Sequence, residues 1–315
     1  MRVTDWELNE HRYRPLLDTS EPRLLGATSW EEQAFCQWYA THGLSGRGVV
    51  VELGPWLGSL TIPTARGLAA NVEIPRPGRT IHSFDLFLWN LGFEGWVAGT
   101  QYEGRYKPGD TFLPLYEELV APYGNDVTVI AHQEDLAVAR WADGPIEILI
   151  NDAWKLIPIM TNVIERFLPA LAPGAILFHQ DYLWTSESFI HVAMYRLRDC
   201  FRFVCRIENS STVLFRKVRE IPEAVLTEMA ALSSYSSFDE AEIHAAFDWS
   251  KALFVDPEAR LVVDAGRAWM LARMGNTDAA RRIFAGIKHS PHYRSPFYQH
   301  QEGLLRQWGL DALIG

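Results

Sequence analysis

Long apolar runs are missing from this chain. No stretch approaches the ~18 to 20 residues that a membrane-spanning helix needs, so no part of it reads as crossing a bilayer. The N-terminus lacks the apolar core of a secretory signal and carries charges at Arg2, Asp5 and Glu7 instead. Cysteine is scarce and odd in number: Cys36, Cys200 and Cys205 have no paired zinc-ligand spacing. Reduced thiols are the simplest expectation, and with them a soluble, cytoplasmic protein. Basic residues are in deficit, 29 Lys and Arg against 39 Asp and Glu, leaving a net charge of −10. Such a balance argues against a nucleic-acid backbone or an anionic membrane as the main partner.

What the chain does have is enough apolar content, 48% over 315 residues, to bury a large core, and more length than one domain usually needs. Its organising stretch is Val49-Val50-Val51-Glu52-Leu53-Gly54-Pro55-Trp56-Leu57-Gly58-Ser59. Three β-branched residues in a row predict a strand buried on both faces, as in parallel sheets. The glycines predict a tight turn, and Ile62, Ala65, Leu68 and Ala69 a helix behind it. Strand, glycine turn and helix form the first unit of a nucleotide-binding α/β domain, where backbone N–H groups face the ligand. Yet Trp56 stands where a dinucleotide fingerprint needs glycine, and Glu52 would repel phosphates. The glutamate suits a ligand with positive charge.

Residues 1–29 read as polar and irregular, with Pro15 and Pro22. Ser29 and Glu32 form a capping box that predicts a helix over 29–42. Strands follow at 80–84, 127–131, 146–150 and 175–178. Residues 86–114, rich in tryptophan, phenylalanine and tyrosine, read as a long loop of the kind that forms lids or binding loops. Met160, Val163, Ile164, Phe167, Leu168 and Leu171 mark one buried helix face, stopped by Pro173-Gly174. A helix over 186–199 and a hairpin of strands at 201–207 and 212–218 close the sheet. From Ile221-Pro222 onward only helices are expected, near 222–232, 238–253, 257–274, 277–288 and 297–308. The expected division is a leading extension and helix at 1–43, an α/β domain at 44–218 and an all-helical C-terminal domain at 219–315.

Ligands of open α/β sheets bind outside the carboxyl ends of the strands. Those ends carry Gly54 to Ser59, then Asp85, then His132 to Asp135, then Asn151-Asp152, then His179 to Tyr182. An acid-rich rim of this kind suits a ligand with positive charge and hydroxyls, or a divalent cation. At the end of the second strand, Asp85 is placed to take the two hydroxyls of a ribose.

Residues 50–218 resemble class I S-adenosylmethionine-dependent methyltransferases, most closely the macrocin O-methyltransferase type and more distantly catechol O-methyltransferase. Glu52-Leu53-Gly54-Pro55-Trp56-Leu57-Gly58-Ser59 is similar to that family's E-x-G-x-W-x-G-G turn. Ser83-Phe84-Asp85-Leu86-Phe87 resembles its F-D-S-F segment, and Leu171-Ala172-Pro173-Gly174 with His179-Gln180-Asp181-Tyr182 its L-A-P-G-G…D-D-Y ending. The resemblance implies a Rossmann-like, mostly parallel sheet with an antiparallel last strand.

It further implies that Gly54, Pro55, Trp56, Gly58 and Ser59 pass beneath the methionine part of S-adenosylmethionine, with Glu52 by its ammonium group. Asp85 would hold the ribose, and Gln133 or Glu134 would lie by the adenine. Asp152 and Asp181 match positions that bind Mg2+, which would acidify a bound hydroxyl. Trp154 and Gln180 depart from the pattern, standing where the family has two further acids. His179 is the expected general base, with Lys155 as a residue that could steer the acceptor hydroxyl instead. The expected activity is O-methylation of a hydroxylated small molecule, a sugar or sugar-bearing compound favoured. The exposed C-terminal helices could pair into a homo-oligomer. A cofactor-binding protein without turnover, or one recruiting a partner through those helices, is the alternative.

Overall fold

The computed structural model describes residues 3–17, 24–307 and 309–311; Arg2 and Pro22 lie outside them. The chain runs through α1 (Asp5–Asn9), α2 (Trp30–His42), β1 (Val49–Leu53), α3 (Thr61–Ala70), β2 (Thr80–Asp85), α4 (Glu94–Val97), α5 (Leu113–Val120), β3 (Thr128–Gln133) and β4 (Ile146–Asn151). It continues through α6 (Ile157–Arg166), β5 (Leu171–His179), α7 (Phe189–Arg196), β6 (Phe201–Arg206) and β7 (Val213–Lys217). Beyond β7 come α8 (Glu223–Ala230), α9 (Glu240–Ala252), α10 (Pro257–Arg273), α11 (Thr277–Lys288) and α12 (Pro296–Gln307).

Among the described residues seven strands form one sheet, in the order β3-β2-β1-β4-β5-β7-β6. The first five are parallel, and β7 runs antiparallel between β5 and β6. Successive strand side chains point to opposite faces, so a sheet covered on both sides needs apolar residues at every position. The core divides accordingly. Val50, Ile148, Ile150, Ile176 and Phe178 pack against Phe35 and Ala65 of α2 and α3. Val51, Leu149 and Leu177 pack the other way, against Met160, Val163 and Ile164 of α6. The C-terminal helices belong to that second cluster: Phe247, Trp269 and Leu305 share it with Leu177 and Phe215. Polar contacts join them too, with the Tyr182 and Ser250 hydroxyls 2.6 Å apart and Trp269 Nε1 donating to the Ser186 carbonyl. No helix among the described residues is long and apolar enough to cross a membrane.

Several boundaries differ from expectation. The leading segment is not irregular throughout: Thr4 and Glu7 form a reciprocal capping box that starts α1, and Asp5 pairs with Arg202 and Arg216 of the sheet edge. Helix α6 stops at Arg166, before Leu171, because Pro169 has no N–H to continue the ladder. Leu171 instead opens β5 and pairs with Ile146, so Pro173-Gly174 lies within that strand. Helix α7 is shorter than expected, following a 3-10 turn at Thr185–Glu187. The long segment after β2 is not a plain loop. It contains α4, the start of α5 and a bridge between Leu88 and Thr111, and it encloses a small core of its own around Phe87, Trp89 and Phe112.

Candidate active site

A cleft of about 310 Å3 opens at the carboxyl ends of β1, β2 and β4. Its floor is the turn after β1. Gly54 sits at φ +77°, and a Cβ there would lie 2.9 Å from the carbonyl oxygen of Asp152, so only glycine lets β1 and β4 close up at this point. Its N–H donates to the Phe84 carbonyl at 2.9 Å, tying the turn to β2 as well. Trp56 adopts φ +48°, a conformation rare for a bulky residue, and is held there by Phe93 and Phe112, with ring centroids 3.9 and 4.9 Å away. Gly54, Pro55, Trp56 and Ser59 all line the cleft, together with Asp85. Gly58, at φ +81°, shapes the turn from behind, its carbonyl accepting the Ile62 N–H as α3 begins.

Glu52 lines the cleft with its side chain almost wholly buried. Its carboxylate accepts from Thr61 Oγ1 at 2.6 Å and more distantly from Ser83 Oγ at 3.4 Å, while Tyr116 Oη donates to Ser83 at 2.7 Å. Hydroxyls are its only recorded partners among the described residues. Burial therefore pushes its pKa up to about 7, the two hydroxyl bonds offsetting part of the rise. Asp85 is likewise raised to about 6 by burial, although its carboxylate accepts the Phe87 N–H at 2.7 Å. Gln133 and Glu134 stand at the end of β3, outside the cleft lining. Gln133 Nε2 donates to the Leu86 carbonyl and to Thr111, bracing the segment after β2.

At the other end, Asp152 follows β4 and Asp181 follows β5, neighbouring strands in which Asn151 pairs with His179. Lys155 Nζ lies between the two carboxylates, 2.8 Å from Asp152 Oδ1 and hydrogen-bonded to Asp181 Oδ2. Burial opposes the lysine's charge, but the two carboxylates outweigh it and hold its pKa well above the usual value. Burial also pushes the Asp152 carboxyl upward, with Lys155 pulling against it. The residues present do not fit a divalent ion. Mg2+ takes oxygen donors in near-octahedral array, whereas an ammonium already joins these two carboxylates. Trp154 is turned into the core, and no group of three or more His, Cys, Asp or Glu among the described residues could hold a metal.

His179, expected as the base, is fully buried and absent from the cleft lining. It follows Leu177 by two residues on β5 and so faces the same side, edge-on to Trp154 at 4.6 Å and near Tyr182. Neither ring nitrogen has a hydrogen-bond partner among the described residues, and burial lowers its pKa to about 3. It therefore does not meet the acceptor side of the cleft.

Several cleft residues were not expected individually. Ala27 and Thr28 come from the segment leading into α2, while Leu88, Asn90, Phe93 and Trp96 come from the aromatic segment after β2. The aromatic density of that segment was the signal for its role as a wall. No comparable signal marked Thr28.

The parallel β3-β2-β1-β4-β5 run, completed by an antiparallel β7 ahead of β6, is a Rossmann-like class I methyltransferase sheet with helical additions. No family model matches the chain, and no curated protein matches it significantly in sequence. Among solved structures it is similar to the O-methyltransferase NovP, at 16% identity and a TM-score of 0.44, over 62% of this chain and 84% of that one. It is also similar to the 23S rRNA methyltransferase ErmE, at 15% identity and a TM-score of 0.35, over 75% and 96% of the two chains. A phosphoethanolamine N-methyltransferase of Haemonchus contortus, solved with phosphoethanolamine and S-adenosylhomocysteine, is similar at 11% identity and a TM-score of 0.35, over 72% and 53%. These likenesses are too distant to argue what this chain acts on.

Proposed function

We propose that the protein is an S-adenosylmethionine-dependent O-methyltransferase whose acceptor is a hydroxyl of a small molecule, a sugar or sugar-bearing compound favoured. The observation that carries the reading is Glu52, a buried carboxylate in the cleft wall that has hydroxyl partners and no basic one among the described residues. An isolated carboxylate is costly to bury, and a ligand bringing positive charge to it would repay that cost. Asp85, at the end of the adjacent strand, offers two acceptor oxygens to a pair of hydroxyls. The glycine turn between them lines the same cleft, which brings backbone alongside the ligand space.

Held by Glu52 and Asp85, the cofactor would supply an electrophilic methyl group on a sulfonium sulfur, which would keep the bonding electron pair when the methyl passed to the acceptor oxygen. The chain's own residues handle the rest. Asp152, at the cleft wall, takes the proton that the acceptor hydroxyl loses. Lys155, also in the lining, donates to the same oxygen and holds it in place. Trp56, Phe93 and Phe112 keep water from the turn side. No divalent ion is needed for these steps.

Calorimetric titration of the purified protein with S-adenosylmethionine, followed by a methyl-transfer assay over a panel of hydroxylated compounds, tests the reading. Binding with turnover on a panel member is the expected result. No detectable binding would reject it, and binding without turnover on any member would leave a cofactor-binding protein.

A further inference from the structure

Resting on that reading of the cleft, we propose that Lys155 is the resident cation of the acceptor end: its ammonium fills the place between Asp152 and Asp181 that a divalent ion would need, and its remaining N–H orients the acceptor oxygen. Four observations lead there. The two carboxylates are brought together by neighbouring parallel strands, through the Asn151 and His179 pairing that precedes them. The chain turns sharply after β4, with Lys155 N donating to the Ala153 carbonyl at 2.7 Å, and this returns the lysine toward the strand end it has just left. Its Nζ then reaches both carboxylates. An ammonium has three N–H groups, so two spent on aspartates leave one for a ligand.

The third observation is exposure. The Lys155 side chain is 46% exposed and lines the cleft, whereas that of Asp181 is only 8% exposed behind it. The lysine therefore stands between the ligand space and the carboxylate. The fourth is charge. The ammonium already answers the charge between the two aspartates, and a dication arriving beside it would be repelled by it. The further charge a dication would call for is not added by the neighbours named in the sequence pattern, because Trp154 packs on His179 and offers no oxygen, and Gln180 brings a neutral amide rather than a carboxylate.

Full-length protein treated with EDTA and desalted provides the test, with Mn2+ as the probe and free Mn2+ read by electron paramagnetic resonance. The wild type is expected to bind Mn2+ at least tenfold more weakly than Lys155→Met, in which the paired carboxylates are released. Lys155→Arg should behave as the wild type, and adding Asp181→Asn to Lys155→Met should abolish the gain. Mn2+ binding by the wild type within threefold of Lys155→Met would overturn the proposal. Should Lys155→Met fail to fold, wild type and Asp152→Asn decide: a wild-type Mn2+ site lost in Asp152→Asn overturns it, and no site in either supports it. Titration of the same treated wild type with S-adenosylhomocysteine separates the two ideas. Binding that appears only after Mn2+ is added overturns the role of Lys155 and leaves the cofactor reading standing. Absence of binding in every condition rejects the cofactor reading, while the Mn2+ comparison still judges Lys155.

Discussion

At the β1–β2 end of the cleft Glu52 is buried against hydroxyls, whereas at the β4–β5 end Asp152 and Asp181 share the ammonium of Lys155. Both ends face the same cleft and both hold carboxylates at strand termini. One end leaves its negative charge without a cation of its own, and the other supplies the cation from three residues along the chain. On the proposed reading, the physical consequence is a division of labour. A buried carboxylate lacking a basic partner costs folding stability and repays it when a cationic ligand arrives. An internally paired site keeps its cation whether or not a ligand is present, and is suited to positioning rather than to capture.

The largest expected effect comes from removing the unpaired charge. Glu52→Gln keeps the shape and its hydrogen bonding to Thr61 but deletes the ligand's counter-charge. A charge-assisted buried bond is worth about 2 to 3 kcal/mol, so S-adenosylmethionine affinity should fall roughly 30- to 160-fold by calorimetry. The unliganded protein should move the opposite way and melt higher at pH 8. The same group sets a pH dependence. Its folded pKa of about 7 lies above the 4.5 of a free glutamate, so the folded state holds the proton more tightly. Its stabilising contribution is present below pH 4.5 and is lost as pH rises through 7. Cofactor affinity has the reverse sign. It should weaken as pH falls through 7, and again near 6 where Asp85 takes its proton, with the first step absent in Glu52→Gln.

A smaller effect is expected at the paired end. Asp181→Asn removes one carboxylate from Lys155 and leaves Asp152 to hold it. Breaking a buried pair costs about 3 to 5 kcal/mol, but Lys155 is nearly half exposed, so about 1 kcal/mol is expected in urea denaturation. A loss as large as that of a fully buried pair would mean that the two ends are more alike than their geometry indicates.

Much of this arrangement was legible in the sequence, and the failures have identifiable causes. Val49 to Val51 announced a strand covered on both faces, and the polar strand ends announced where the cleft opens. Leu171 was misplaced because it continues the spacing of the α6 face by coincidence, although Pro169 had already withdrawn the N–H that the helix needed. The Thr4 and Glu7 capping box was present and overlooked. The place of Glu52 and Asp85 in the cleft lining was readable because each follows directly from a strand and its turn. His179 was misjudged although strand parity alone puts it on the Leu177 side. The bridge made by Lys155 and the Tyr116, Ser83 and Thr61 hydroxyls around Glu52 could not be read, because they depend on side chains meeting across four separate elements.

The smallest change sharpens the comparison most. Lys155→Arg preserves the charge between Asp152 and Asp181, so stability should shift by less than about 0.5 kcal/mol, as for a surface substitution. The two side chains differ in how they donate: the ammonium is a compact point with rotatable N–H groups, the guanidinium a planar fork that prefers to grip carboxylates in pairs. A fork committed to both aspartates presents its remaining donors in a fixed plane, displaced from where Nζ lies. If the paired end only balances charge, kcat and KM should both survive the exchange once an acceptor is in hand. If it orients the acceptor oxygen, kcat should drop about tenfold while cofactor affinity, set at the Glu52 end, stays within twofold. That split between turnover and binding is what a site with one capturing end and one positioning end must produce.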